Sequence, residues 1–137
     1  MKLLDTDVCI EILRGNQGVI ERRLATPDDV ATTWITACEL DYGAARSARP
    51  KENQALVDGF LATVTLYGLD RVACRHFGVL KARLERRGRM LADADLFIAS
   101  IALAHQAALV TGNRRHYDRI PGLRIEDWLR GSADGED

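Results

Sequence analysis

The chain has 137 residues, of which 47% are hydrophobic and 28% charged, and its formal net charge at neutral pH is −1. That length fits one domain with a real apolar core. The balance excludes a disordered chain and a polycation, and no run approaches the ~18 consecutive apolar residues of a membrane span, so no membrane partner is expected.

Lys2 to Leu4 reads as a short buried strand that stops at Asp5, Thr6 and Asp7. So early an acid also excludes a secretory signal. Val8 to Arg14 reads as a helix halted by Gly15-Asn16, and a second helix runs from about Gln17 to Ala25, ended by Thr26-Pro27. Val30 to Trp34, β-branched and aromatic, reads as a second strand. Thr36 then opens a helix, because "TACE" fits a capping box with Glu39 three residues on. Pro50 suits the first turn of the next helix, which carries Leu56, Phe60 and Leu61. Val64 to Leu66 reads as a weak third strand. Val72 or Ala73, Phe77, Leu80 and Leu84 then recur at helical spacing until Gly88. "LFIASIALA" is apolar nearly all round and predicts a central, buried helix. "AALVT" reads as a fourth strand, followed by Gly112-Asn113, and "LRIED" as a short last one. Residues 131–137 form an acidic tail expected to be disordered, which leaves a single domain over residues 1–130. No internal repeat or low-complexity segment interrupts it.

Strands alternate with helices, which predicts an α/β domain with a central, mostly parallel sheet of four to five strands flanked by helices on both faces. Ligands of such sheets sit beyond the carboxyl ends of the strands. The acids fall there. Asp5 follows strand one, Glu39 lies in the first turn after strand two, Asp93 and Asp95 open the buried helix, and Asn113 follows strand four. Each has an innocent reading as a helix cap or a dipole partner, worth about 0.3–1 kcal/mol. Together they form a self-repelling cluster, which a protein tolerates when a divalent cation neutralises it. Hard oxygen donors suit Mg²⁺ or Mn²⁺. Such an ion activates water and stabilises charge on a phosphoryl oxygen.

Rival chemistry is poorly represented. Cys9, Cys38 and Cys74 have no CxxC spacing and read as reduced thiols of a cytoplasmic protein. His76, His105 and His116 form no ligand-spaced pair with them, which argues against zinc, and His116 is expected at the surface. No Ser-His-Asp or Cys-His arrangement stands out, and "GNQG" lacks the Lys-Ser/Thr of a phosphate loop. From Asp70 to Arg89, Arg71, Arg75, Lys81, Arg83, Arg86, Arg87 and Arg89 face only two acids. That stretch is either a solvated helix face or a surface that steers a polyanion.

The segments "LLDTDVCIEILRG", "ITACEL", "DLFIASIALAHQAALVTGN" and "RHYDRIPGLRIEDW" span nearly the whole chain. In that order they resemble the PIN-domain nucleases, in particular the VapC-type ribonuclease toxins of toxin–antitoxin modules. The resemblance implies metal-dependent endonucleolytic cleavage of RNA, with tRNA or ribosomal RNA as the substrate class. It makes Asp5 and Asp95 direct metal ligands and Glu39 a ligand or the group that positions the attacking water. Asp93 falls outside the D-x-x-I-A slot that Asp95 fills. Asn113 occupies the fourth acidic position as a neutral amide, which weakens the case for a second tightly held ion. Thr6 and Thr111 are implied to orient water or substrate, and Arg114 and Arg115 to hold the phosphate backbone. A homodimer and a VapB-like antitoxin that fills or distorts the acidic site are the implied partners. Two alternatives stay open: a PIN-like module that binds RNA or protein without cutting, and an aspartate-nucleophile phosphatase, whose D-x-D-x-[TV] signature "LLDTDV" also fits.

Overall fold

The computed structural model describes residues 1–130, so the expected tail over 131–137 lies outside the described residues. Five strands, β1 (Lys2–Leu4), β2 (Val30–Thr33), β3 (Thr65–Tyr67), β4 (Ala108–Val110) and β5 (Ile125–Glu126), form one sheet in the order β3-β2-β1-β4-β5. Every pairing is parallel, with Lys2 opposite Val30 on one side and Ala108 on the other. The helices are α1 (Thr6–Leu13), α2 (Gln17–Ala25), α3 (Trp34–Ala45), α4 (Pro50–Leu61), α5 (Arg71–Arg86), α6 (Asp93–Ala104) and the short α7 (Arg114–Tyr117).

Successive residues of a strand point to opposite faces. Leu3 and Leu109 therefore enter a core with Leu80, Leu84, Leu96, Ile98, Ile101 and Tyr117, supplied by α5, α6 and α7. Leu4 and Val110 enter the other, with Val8, Val19, Leu40, Val57 and Phe60 from α1 to α4. The all-round apolar α6 is buried as its sequence demands, with Leu96, Ile98, Ala99, Ile101 and Ala102 at 0% exposure.

Several boundaries shift from the sequence reading. Thr33, not Thr36, caps α3: its Oγ1 accepts the Thr36 backbone N–H at 3.0 Å. The segment has two threonines three residues apart, and the earlier one wins because the chain turns out of the sheet there. Trp34 is accordingly the first residue of α3 rather than the end of a strand, and is 55% exposed. Glu39 lies in the second turn, so the predicted capping box does not form. Asp5 caps α1, accepting the Thr6 N–H at 2.8 Å, which starts that helix two residues early. Ala92 stands at the N-cap of α6, leaving Asp93 and Asp95 in its first turn. Strand β3 is displaced one residue, and α7 was not expected at all.

The strand order matters most. The chain leaves β1 for β2 and β3 on one side, then returns to lay β4 on the other. The crevice where the order reverses lies between β1 and β4, at their carboxyl ends.

Candidate active site

Asp5 leaves β1 directly into that crevice. Its backbone N–H donates to Val110 O at 2.9 Å, which ties it to the end of β4. The residue is 3% exposed. Thr111, fully buried, donates its hydroxyl to Asp5 Oδ2 at 2.8 Å and accepts the Asn113 N–H at 3.0 Å. Burial above all, and the Asp7 carboxylate beside it, push the Asp5 carboxyl up to about 7. The bonds from Thr111 and Thr6 act against that rise, and Asp95 adds to it.

Asp7 is a site residue that the sequence reading missed. Its Oδ2 accepts the Gly112 N–H at 2.8 Å, while its buried Oδ1 has no partner. Burial also raises its carboxyl above the usual range, with Asp127 and Asp95 adding to the rise. A β-carbon at Gly112 would collide with Leu129 Cδ1 and come within 2.9 Å of Asp7 Oδ2, so a larger residue here must displace the ends of those two side chains. The D-x-D spacing after a strand was the available signal for Asp7.

Glu39 reaches the site from α3. Its Oε1 accepts the Thr6 hydroxyl at 2.6 Å, and Thr6 Oγ1 lies 3.0 Å from Thr36 Oγ1. Asp95 arrives from α6, with its Oδ1 accepting the Tyr117 hydroxyl at 3.3 Å and its Oδ2 3.7 Å from His116 Nδ1. His116 is half-exposed, as expected, yet it faces the site. Asp93 turns away to an ion pair with Lys81 of α5 at 3.0 Å. Asn113 is exposed and contributes backbone contacts, with no capping bond from its side chain. Arg114, Arg115 and His116 line an adjacent cleft with Arg130, another residue the sequence reading missed.

Asp95 thus lies near enough to Asp5 to raise its carboxyl, and Glu39 is tied to Thr6, the residue that follows Asp5. Among the described residues no group of three or more His, Cys, Asp or Glu side chains is gathered as a ready-made metal site. The donors are nevertheless all hard oxygens, one of them buried and unpartnered, and Asp5 and Asp7 are held in surroundings that lack positive charge. Those features fit a hard divalent cation.

A family model described as "PIN domain" matches residues 2–123. The tRNA(fMet)-specific endonuclease VapC of Salmonella typhimurium is 36% identical over 92% of this chain and 96% of its own. The Shigella flexneri protein of the same name is 33% identical over the same shares. Among solved structures, DNA-bound VapBC from Salmonella typhimurium superposes with a TM-score of 0.87 at 36% identity, covering 93% of this chain and 97% of its own. VapBC2 from Rickettsia felis, bound to a DNA fragment from its promoter, gives 0.86 at 31% identity, with 93% and 98% covered. Fold, strand order and sequence agree: the chain belongs to the PIN-domain family.

Proposed function

We propose that the protein is a divalent-metal-dependent endoribonuclease, the toxin of a toxin–antitoxin pair, acting on structured RNA such as tRNA. The observation that carries this reading is the buried Asp5 at the β1/β4 switch point, with Asp95 near enough to raise its carboxyl and Glu39 tied to the hydroxyl of the adjoining Thr6. Relatives named as tRNA(fMet)-specific endonucleases support the substrate class.

Asp5 and Asp95 would hold a Mg²⁺ or Mn²⁺ ion, and Glu39 would ligate it or orient the attacking water. Such an ion supplies charge at the phosphoryl oxygen and lowers the pKa of bound water. Thr111 fixes the Asp5 carboxylate by its donated hydrogen bond, and Thr6 fixes that of Glu39. Arg114 and Arg115, with Arg130 across the same cleft, grip the phosphate backbone, which sets register without reading bases. The neutral Asn113 favours one tightly held ion over two.

A VapB-like antitoxin and a second copy of the chain complete the assembly. Near Glu39, Ile10, Leu13, Leu40, Leu56 and Val57 line a groove of about 320 Å³, an apolar foothold for an antitoxin segment that fills the site. Cys9, Cys38 and Cys74 are all free, and no helix among the described residues is long and apolar enough to cross a membrane. Both features accord with action in the cytoplasm.

The phosphatase alternative loses its support, because the relatives that match nearly the whole chain are named as endonucleases. The test is Mg²⁺-dependent cleavage of total RNA and growth arrest on expression. Both are expected for the wild type and absent from Asp5→Asn and Asp95→Asn. A wild-type protein that binds RNA and never cuts it would establish the non-cutting module instead.

A further inference from the structure

Tyr117 has no place in the roles just assigned, yet it sits between the two acids at the centre of the site. It is fully buried, although it belongs to a four-residue helix whose other three members are exposed. Its ring packs in the core with Leu96, Ile98 and Leu109. Its hydroxyl donates to Asp95 Oδ1 at 3.3 Å and faces the Asp5 carboxyl as well. A buried hydroxyl aimed at two carboxylates is costly to place unless those carboxylates need it.

We propose that Tyr117 is a positioning residue of the metal site, its hydroxyl holding the Asp95 carboxylate in line with that of Asp5. The inference rests on the metal-site reading above and adds a residue to it. The two acids come from different elements, Asp5 from the end of β1 and Asp95 from the first turn of α6. Asp5 is already fixed by Thr111 and by the Thr6 backbone. Asp95 has no comparable anchor on its own helix, since α6 begins without a side-chain cap. Besides Tyr117, its carboxylate has among the described residues only the looser approach of the half-exposed His116. The phenol answers that need, because its ring is locked by packing and its single proton is directed by the carboxylates.

Groups that orient a metal ligand from behind typically change metal affinity or activity by about 10- to 100-fold when removed. Tyr117→Phe removes one oxygen and keeps the ring, so the core stays filled. Calorimetric titration with Mn²⁺ alone should show affinity weakened by about tenfold or more, with a smaller Mn²⁺-induced rise in melting temperature. Melting of the metal-free variant checks that it folds. RNA cleavage over a range of substrate concentrations should show a lower kcat per folded enzyme with KM little changed, and raising Mn²⁺ should recover part of the loss, which unfolded protein would not. His116→Ala serves as the control and should weaken Mn²⁺ binding less. Mn²⁺ affinity in Tyr117→Phe equal to that of the wild type would overturn this inference and leave the metal site standing. A wild-type protein that takes up no Mn²⁺ would overturn both.

Discussion

Asp5 is 3% exposed, and its carboxyl is pushed from an ordinary 3.8 to about 7. A group whose pKa rises on folding binds its proton more tightly in the folded state, so ionising it costs stability. The penalty is absent below about pH 4, grows as pH rises, and is complete above about 7, at most ~4 kcal/mol for this shift. Metal-free protein should therefore melt at a higher temperature at pH 5 than at pH 8. Asp5→Asn should raise the melting temperature at pH 8 and flatten that dependence in part, since Asp7 pulls in the same direction. Identical pH profiles for wild type and variant would refute the assignment. The two acids of α6 make a second test. Asp93 forms an exposed ion pair with Lys81, a contact of the kind worth about 0.2–1 kcal/mol. Asp95 faces the crevice. Cleavage rates should fall by roughly 100-fold or more in Asp95→Asn and by less than about threefold in Asp93→Asn, because only a lost ligand strips the ion of charge compensation. The resemblance to the PIN-domain nucleases set these two residues apart by the D-x-x-I-A slot, whereas nothing in the sequence pointed to Tyr117. Its partner Asp95 is 22 positions away on another element, and no local pattern encodes that meeting.

Elements were legible wherever apolar periodicity or a cap marked them. Asp70 caps α5 by accepting the Ala73 N–H at 2.9 Å, and Gly88, at φ +65°, follows its last turn as the sequence suggested. The start of α3 was misread because Thr33 and Thr36 offer the same cap chemistry, and the choice depends on where β2 leaves the sheet. The consequence is local but functional: Glu39 lies a turn further along and meets Thr6 across the crevice. Helix α7 could not be read, since four mostly polar residues carry no periodicity. What commits them to a helix is the burial of Tyr117. In the turn before it, a side chain at position 112 would have to displace the ends of Leu129 and Asp7. Gly112→Ala should destabilise the protein by about 1–3 kcal/mol, seen as a melting temperature lower by several degrees. An unchanged melting temperature would show that Leu129 and Asp7 yield more easily than their packing implies.

Across the whole molecule, the parallel sheet places every strand's carboxyl end on one edge, and the reversal of order at β1 opens a crevice there. Acids gathered at that edge cost stability without a counter-charge, so a bound cation should return it. Ligand at a hundred times its dissociation constant adds about 2.7 kcal/mol. Saturating Mg²⁺ or Mn²⁺ should raise the melting temperature by several degrees at pH 8, and by less at pH 5, where protons compete for Asp5. A melting curve indifferent to millimolar metal would count against the site. The alternation of strands and helices, the two-sided burial of the sheet and the placing of acids after strands followed from the sequence alone. They depend on local spacing and apolar period, which a linear chain displays. Which groups stand between those acids was settled only in three dimensions. Thr111 meets Asp5 across 106 residues and Gly112 meets Asp7 across 105, because β4 lies against β1 rather than against β3, the strand before it in sequence. Long-range strand order has no local signature, and the hydroxyls that hold the carboxylates follow from it.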